Sequence, residues 1–524
     1  MLAKIWGSQL HGVEAFPVMI EVYVGNGLGY HVTGQPDDTV KESLNRIEVA
    51  IKAMGFHMPR QKLSVNLSPV HLKKTGAGFD LPIAVGILKA SGQLEDLGKL
   101  DDYTLAGELG LDGAIYPING VLCRAEQALR DGRKGIVLPK ANIDEGRLVT
   151  SLEIYGVSHL QEVLDFVKTD LLPGPAVDWP GSAPSVPPLL PDFKEVRGQY
   201  KVKRELEIAA AGGHNSLLIG PPGVGKSMLA KRLPSILPPM TAQEILETTR
   251  IYSVAACGRA FNGPVYVRPF RDPHHSASAT ALIGGGSLPL PGEISLAHNG
   301  VLFLDELYEF HRAAIESLRQ PLEEGKVRIA RAKMSLEFPA SFMLVAAMNP
   351  CFCGYYGHPT RRCTCSKRAL EYYRKKIGSP LLERIDLCIE AEPVLLGELL
   401  AGETEGENSA TIRERVLRAR GIQQARYGHV KNIHCNARMP QAEMETYCRM
   451  EAFARRFLLR SLDQLQLSAR SYSRILKVSR TIADLAGSEK VELEHVAEAV
   501  GFRGLDRPVE GRSRGREAND KYND

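Results

Sequence analysis

The chain carries two kinds of apolar patterning, and their order along it predicts the layout. Short unbroken apolar stretches read SLLI at residues 216–219, VLFL at 301–304 and MLVAA at 343–347. Runs of this length predict parallel strands buried on both faces. Period-two alternation at residues 16–24 and 63–67 predicts half-buried strands, and 3.6-residue spacing at 40–54 and 81–90 predicts helices. An N-terminal α/β domain over residues 1–170 follows. Residues 171–192, LLPGPAVDWPGSAPSVPPLLPD, replace all periodicity with proline and glycine and read as a stiff extended linker. A second α/β domain is expected over 193–395. After it comes an arginine-rich helical domain over 396–505, with 3.6-period apolar positions from 410 to 502. The polar tail, 506–524, has the composition of a disordered segment. No internal repeat is visible.

Composition adds bounds to this picture. With 524 residues and 44% hydrophobic content, the chain can fill two or three cores. Its apolar runs are too short to span a bilayer and its first residues lack a secretory pattern, so the expected location is cytoplasmic and no membrane partner is expected. A net charge of +4 says little about nucleic acid. Any such case rests on local clusters.

The run at 216–219 leads directly into GPPGVGKS, and the helix-like residues 228–233 follow. Strand, glycine-rich loop and helix N-terminus are the parts a phosphate cradle needs. Gly220, Pro221, Pro222, Gly223, Val224 and Gly225 shape the loop, and the glycines let backbone N–H groups turn inward. Lys226 would reach the β and γ oxygens, and Ser227 would ligate Mg2+. Binding of a nucleoside triphosphate is the reading. VLFLDEL then ends a buried strand in two acids, Asp305 to hold the magnesium and Glu306 to polarise the attacking water. Asn349, at the end of the third strand, offers an amide to orient that water, although a strand-end Asn is also a common turn former.

Phosphate loop, DE strand, Asn strand and helical lid, in that order, resemble the AAA+ ATPases. RPFRDPHHSAS (268–278), GEISLAHNGVLFLDE (292–306), NPCFCGYYG (349–357) and GSPLLERIDL (378–387) narrow the likeness to the magnesium-chelatase-like YifB/ComM family, over nearly all of residues 1–506. That resemblance implies ATP and Mg2+ as cofactors and a motor similar to those of magnesium chelatase and MCM helicases. For ComM members it further implies a hexameric homo-oligomer that drives branch migration on DNA in natural transformation. It also implies that Arg384 is an arginine finger completing a neighbouring subunit's site, where a fixed fork of positive charge would stabilise the transferring phosphoryl. An Arg384 merely paired with Glu383 or Asp386 is the alternative. Arg470 matches the sensor arginine of the lid, with Arg474 as a substitute, and Gln199 matches an adenine-side position. Arg470, Arg474, Lys477 and Arg480 together also suit a solvated basic face.

Residues 72–88 with 107–121 resemble the proteolytic domain of Lon, a ribosomal S5 domain 2-like α/β fold. Asp80 stands at the serine position of the Lon dyad and Leu122 at the lysine position, so no activated hydroxyl is expected and the domain reads as an assembly or DNA-engaging cap without peptidase activity. Cys351, Cys353, Cys363 and Cys365 form two CxC pairs, suited to a structural Zn2+ or present as reduced thiols, with His358 able to replace one ligand. Cys123, Cys257, Cys388, Cys435 and Cys448 are scattered and read as buried residues.

Two elements are candidates for DNA contact. KVRIARAK (326–333) reads as a hairpin arm presenting Arg331 and Lys333 on one face, similar to the pore hairpin of MCM-type motors. The second spans 361–376, where Arg361, Arg362, Lys367, Arg368, Arg374, Lys375 and Lys376 oppose Glu371, with Tyr372 and Tyr373 for stacking. Solvated charged surface is the competing reading of both. The function expected is an ATP-driven ring motor moving branched DNA. A chelatase-like motor remodelling a protein partner and a nucleotide-dependent assembly module with little turnover are the alternatives.

Overall fold

The computed structural model describes the chain apart from residues 96–97, 170–189, 256–262, 287–288, 332–333, 377–378, 394–405, 429–432, 466 and 504–524. Most of the linker, the polar tail and Cys257 therefore lie outside the described residues.

The N-terminal domain is a seven-stranded sheet. Its strands are β1 (Leu2–His11), β2 (Glu14–Gly25), β3 (Tyr30–Thr33), β4 (Lys62–Ser68), β5 (Tyr103–Leu105), β6 (Gly135–Pro139) and β7 (Glu153–Val157), in the spatial order β3-β4-β2-β1-β5-β6-β7. β1 and β2 form an antiparallel hairpin in which Leu10 faces Ala15 across a turn containing Gly12 at φ +64°. The predicted alternation at 16–24 and 63–67 becomes β2 and β4, with Val18, Ile20, Val22, Leu63, Val65 and Leu67 buried on one face. Asp37 caps the helix Asp38–Ala53 by accepting from Val40 N–H at 2.9 Å, satisfying one of the orphan amides of the first turn. The central helix, Asp80–Ala90, is buried along almost its whole circumference, which explains its nearly polar-free sequence.

The second domain is built on β8 (Ser216–Ile219), β9 (Phe270–Arg271), β10 (Val301–Leu304), β11 (Lys326–Arg331), β12 (Met334–Pro339), β13 (Met343–Met348) and β14 (Leu387–Glu390). Five of them make an all-parallel sheet in the order β9-β10-β13-β8-β14. Alternate residues feed two separate cores: Leu218, Phe303, Val345 and Ala347 on one face, Leu217, Leu302, Leu304, Leu344 and Ala346 on the other. Burial on both sides is why these segments read as unbroken apolar runs. β11 and β12 pair as a separate antiparallel hairpin in which Arg331 faces Met334. Lys333, the side chain of Arg331 and those of residues 374–376 lie outside the described residues.

The lid consists of helices Ser409–Tyr427, Gln441–Tyr447, Ala452–Leu465, Ala469–Ala486 and Leu493–Gly501. It packs on the core helix Tyr200–Gly212, where Gln423 and Arg420 donate to the carbonyls of Ala211 and Ala210 at 3.0 and 3.1 Å. The N-terminal domain docks through its helix Val121–Arg130 onto Ala242–Ala255, with Arg250 donating to Glu126 at 2.6 Å. Among the described residues no helix is long and apolar enough to cross a membrane.

Candidate nucleotide site and sulfur cluster

β8 delivers the phosphate loop and the helix Lys226–Arg232 receives it. Gly223 and Gly225 sit at φ +83° and +88°, a region that penalises any Cβ, and an added Cβ at either would meet no atom within 4 Å. The loop therefore leaves open space at Gly223 and Gly225. That fits the triphosphate of a nucleotide.

Side chains from three neighbouring strands converge on it. Lys226 Nζ donates to the carbonyls of Gly220 and Pro221 at 2.6 and 3.0 Å and to Asn349 Oδ1 at 3.2 Å. Burial holds the Lys226 ammonium below its usual pKa, opposed by the charges of Asp305 and Glu306. Ser227 Oγ donates to Asp305 Oδ2 at 2.5 Å. A hydroxyl and a carboxylate side by side are the hard oxygen donors that Mg2+ takes. Asp305 Oδ1 accepts from Glu306 N–H at 2.9 Å, and Glu306 itself is held at φ +51°, a conformation that costs a non-glycine residue free energy. Its carboxylate is exposed and lies 3.4 Å from His275 Nδ1. His274 packs against His275 with ring centroids 4.0 Å apart. The reading from residue types overlooked His275. The adjacent histidines of RPFRDPHHSAS, just past β9 on the strand beside β10, were the signal.

Gln199 also sits in the left-handed region, at φ +55°, and its amide donates to the carbonyls of Val224 and Glu392 at 3.2 and 2.7 Å. It thus ties the phosphate loop to the segment after β14. Arg384 is mostly buried and pairs with Glu323, neither of the partners weighed from sequence. Arg470 is exposed and donates to Glu383 at 3.0 Å, next to Arg384, while Arg474 donates to Asp386 at 2.7 Å. Asp386 is nearly buried. Its burial would raise its pKa, yet Arg474 and His214 outweigh that and hold it at about 2. Arg474 is thereby committed to a structural pair, and Arg470 remains the arginine on the solvent side.

The loop after Asn349 brings Cys351, Cys353, Cys363 and Cys365 together, all four sulfurs within 4.8 Å of one another. Three separations are 3.3, 3.5 and 3.7 Å. A tetrahedral Zn–S site has sulfur edges of about 3.8 Å. Amides of Tyr356 and Cys365 donate to Cys351 and Cys363 at 3.3 and 3.4 Å, the kind of contact that stabilises thiolate ligands. The donor set fits Zn2+. His358 is not part of the cluster; its Nδ1 accepts from the N–H groups of Thr360 and Arg361. Cys123, Cys388, Cys435 and Cys448 are buried, as expected. Tyr373 is a correction. It is 3% exposed and stacked on Tyr308 at 4.0 Å, so it is closed to stacking with a ligand.

In the N-terminal domain, Asp80 is fully buried and receives Arg46 Nε and Nη2 at 2.9 and 3.0 Å. Burial outweighs this partner and raises the carboxyl to about 6. Leu122 is also fully buried. The positions matched to the Lon dyad carry a locked ion pair and an alkyl chain.

A phosphate loop on the central strand, an acid pair on a neighbouring strand, an asparagine between them and a helical lid define an AAA+ module. Comparison with known families agrees with that class. The magnesium chelatase subunit ChlI family matches residues 192–399, its N-terminal ChlI domain 20–142 and its C-terminal domain 406–503. An uncharacterized protein YifB of Salmonella typhimurium is 43% identical over 498 residues, 95% of this chain and 96% of that protein. The competence protein ComM of Haemophilus influenzae is 42% identical over 513 residues, 96% of this chain and 98% of that protein. An archaeal Lon protease of Halobacterium salinarum is 27% identical over 142 residues, 26% of this chain and 20% of that protein. The chain belongs to the YifB/ComM family of magnesium-chelatase-like AAA+ proteins.

Proposed function

We propose that this chain hydrolyses ATP in a homo-oligomeric ring, a hexamer by family likeness, and couples hydrolysis to movement of branched DNA. The observation that carries the hydrolytic part is the meeting of Lys226, Ser227, Asp305, Glu306 and Asn349 on one open phosphate loop. In this reading Ser227 and Asp305 would hold Mg2+, which would supply positive charge to offset the negative charge of the phosphates. Lys226 leaves its loop carbonyls for phosphate oxygens, Asn349 orients the attacking water and Glu306 accepts its proton. Glu306 first has to turn from His275 toward that water. Gln199 braces the adenine end.

In this reading Arg384 and Arg470 complete a neighbouring subunit's site, as the family likeness implies; within the chain Arg384 pairs with Glu323 and Arg470 with Glu383. Glu323 lies in the helix Arg319–Glu324, which runs directly into β11. A hairpin displaced by DNA would thus move the carboxylate that holds Arg384. The basic character of Arg331 and Lys333 favours DNA in the pore over a polypeptide. The N-terminal domain is a cap, and Zn2+ in the cysteine cluster is structural.

ATPase rates measured without DNA, with linear duplex and with a four-way junction test this. The junction should stimulate most, and Arg331→Ala with Lys333→Ala should abolish that stimulation. It should also flatten the salt dependence of binding by up to about two phosphate contacts. Rates indifferent to all DNA, with an unchanged salt slope, would favour a motor that remodels a protein.

A further inference from the structure

Two large aromatic side chains lie open beside the cysteine cluster. Phe352 is 51% exposed and Tyr372 64%, and their rings are within 14° of parallel with centroids 6.5 Å apart. One exposed aromatic would need no explanation, but a parallel pair held on a rigid base does. The base is the buried stack of Tyr308 on Tyr373, against which Phe352 packs in edge-to-face contact with centroids 5.1 and 5.0 Å away. Phe352 also sits between Cys351 and Cys353, so the cluster fixes its backbone from both sides.

The same loop and helix carry four exposed cations, Arg361, Arg362, Lys367 and Arg368, against two acids, Glu371 in the helix and Glu309, whose charge acts on Tyr308 and Tyr373. Flat aromatic faces rimmed by cations are what a single nucleic acid strand requires, since every base offers a π face and every linkage a negative charge. A duplex hides those faces. We propose that Phe352 and Tyr372 stack on unpaired bases of a DNA strand whose phosphates are engaged by Arg361, Arg362, Lys367 and Arg368. This rests on the DNA-motor reading above and names its substrate class: strand with bases unpaired, as at a branch point.

The platform is wired to the nucleotide. Tyr373, the neighbour of Tyr372, donates its hydroxyl to the Asn349 carbonyl at 2.9 Å, and the Asn349 amide oxygen accepts from Lys226 at 3.2 Å. Gly354 lies so close to the phosphate loop that an added Cβ would come within 2.8 Å of Pro222. A base pressing on Tyr372 therefore acts on the helix that positions the asparagine and lysine of the ATP site.

Fluorescence anisotropy with the full chain tests the platform, using an oligothymidine strand and a strand of the same length with abasic sugars. Wild type should bind oligothymidine more tightly than the abasic strand. Tyr372→Ala and Phe352→Ala should each weaken oligothymidine binding on the order of tenfold, with zinc content and abasic binding unchanged, while Tyr372→Phe should bind like wild type. Equal binding of the two strands, or alanine variants that bind oligothymidine normally while a junction still stimulates ATPase, would overturn the platform and leave the motor reading standing. Wild type that ignores all DNA would overturn both. Alanine variants that lose only self-assembly, seen by native mass spectrometry, would assign the face to a second copy of the chain and overturn the proposal.

Discussion

Asp305 and Asp80 are both acids placed where a catalytic group would stand, and their surroundings are opposite. Asp305 is half-buried at the end of a parallel strand, and its oxygens accept from a serine hydroxyl and a backbone amide. Those partners are neutral and exchangeable, so a cation can displace or share them. Asp80 is sealed from solvent and gripped through two hydrogen bonds by Arg46. Nothing can enter without breaking a bidentate ion pair, which is the stronger arrangement. A site that works keeps its charges on contacts a ligand can replace. A site given over to structure satisfies them permanently.

The comparison breaks first at Arg384, because the proposed working site would also take a residue from a neighbouring subunit. Arg384→Ala should bind ATP nearly normally and hydrolyse it about a thousandfold more slowly. Mixing it with Lys226→Ala protein should restore part of the rate, since one ring would then contain intact composite sites. Co-assembled mixtures that stay inactive would remove the shared-site account. The cysteine cluster is a third case, four sulfurs within 4.8 Å of one another that suit a resident ion. Metal analysis should find about one zinc per chain, lost in Cys363→Ser together with protease resistance of the segment after Asn349.

At the sealed site the effect should be on stability alone. Arg46→Ala strands a buried carboxylate, so it should destabilise the N-terminal domain by about 3 kcal/mol in calorimetry without slowing ATP hydrolysis. The sign of the pH dependence follows from the raised carboxyl of Asp80. Its pKa is about 6 in the fold against 3.8 for the free side chain, so the native state binds the proton more tightly. Stability from this group is greatest below the unfolded value and falls as pH rises toward about 6. Removing Arg46 should push that window upward, and Asp80→Asn should abolish it. The smallest expected change is at His275. His275→Ala should alter kcat about tenfold while leaving the KM for ATP unmoved, with His275→Asn, which keeps a donor, closer to wild type. A change confined to KM would make His275 part of nucleotide binding instead.

Much of the nucleotide site was legible because its parts are local in sequence. GPPGVGKS sits between its own strand and helix start, and VLFLDE ends a strand buried on both faces in two acids, so motif and local pattern together located Lys226, Ser227, Asp305 and Glu306. What escaped was decided by packing across long separations. Glu323, the partner of Arg384, is 61 positions earlier. Tyr372 and Tyr373 look alike in the sequence, yet the helix turns one outward and the other onto Tyr308. Phe352 stands between two cysteines with no neighbouring pattern that marks it. Only folding of the loop brought it beside Tyr372. His275 gained meaning only when β9 was laid next to β10, which put it against Glu306.

The claim on which the rest depends is that Glu306 activates water while Lys226, Ser227 and Asp305 hold Mg-ATP. Glu306→Gln keeps the shape and removes the base, so paired measurements on the purified variant, ATP binding by equilibrium dialysis and steady-state hydrolysis, test it most directly. The account predicts wild-type nucleotide retention with turnover reduced by about 10²-fold or more. Hydrolysis near the wild-type rate, or loss of ATP binding along with turnover, would contradict it.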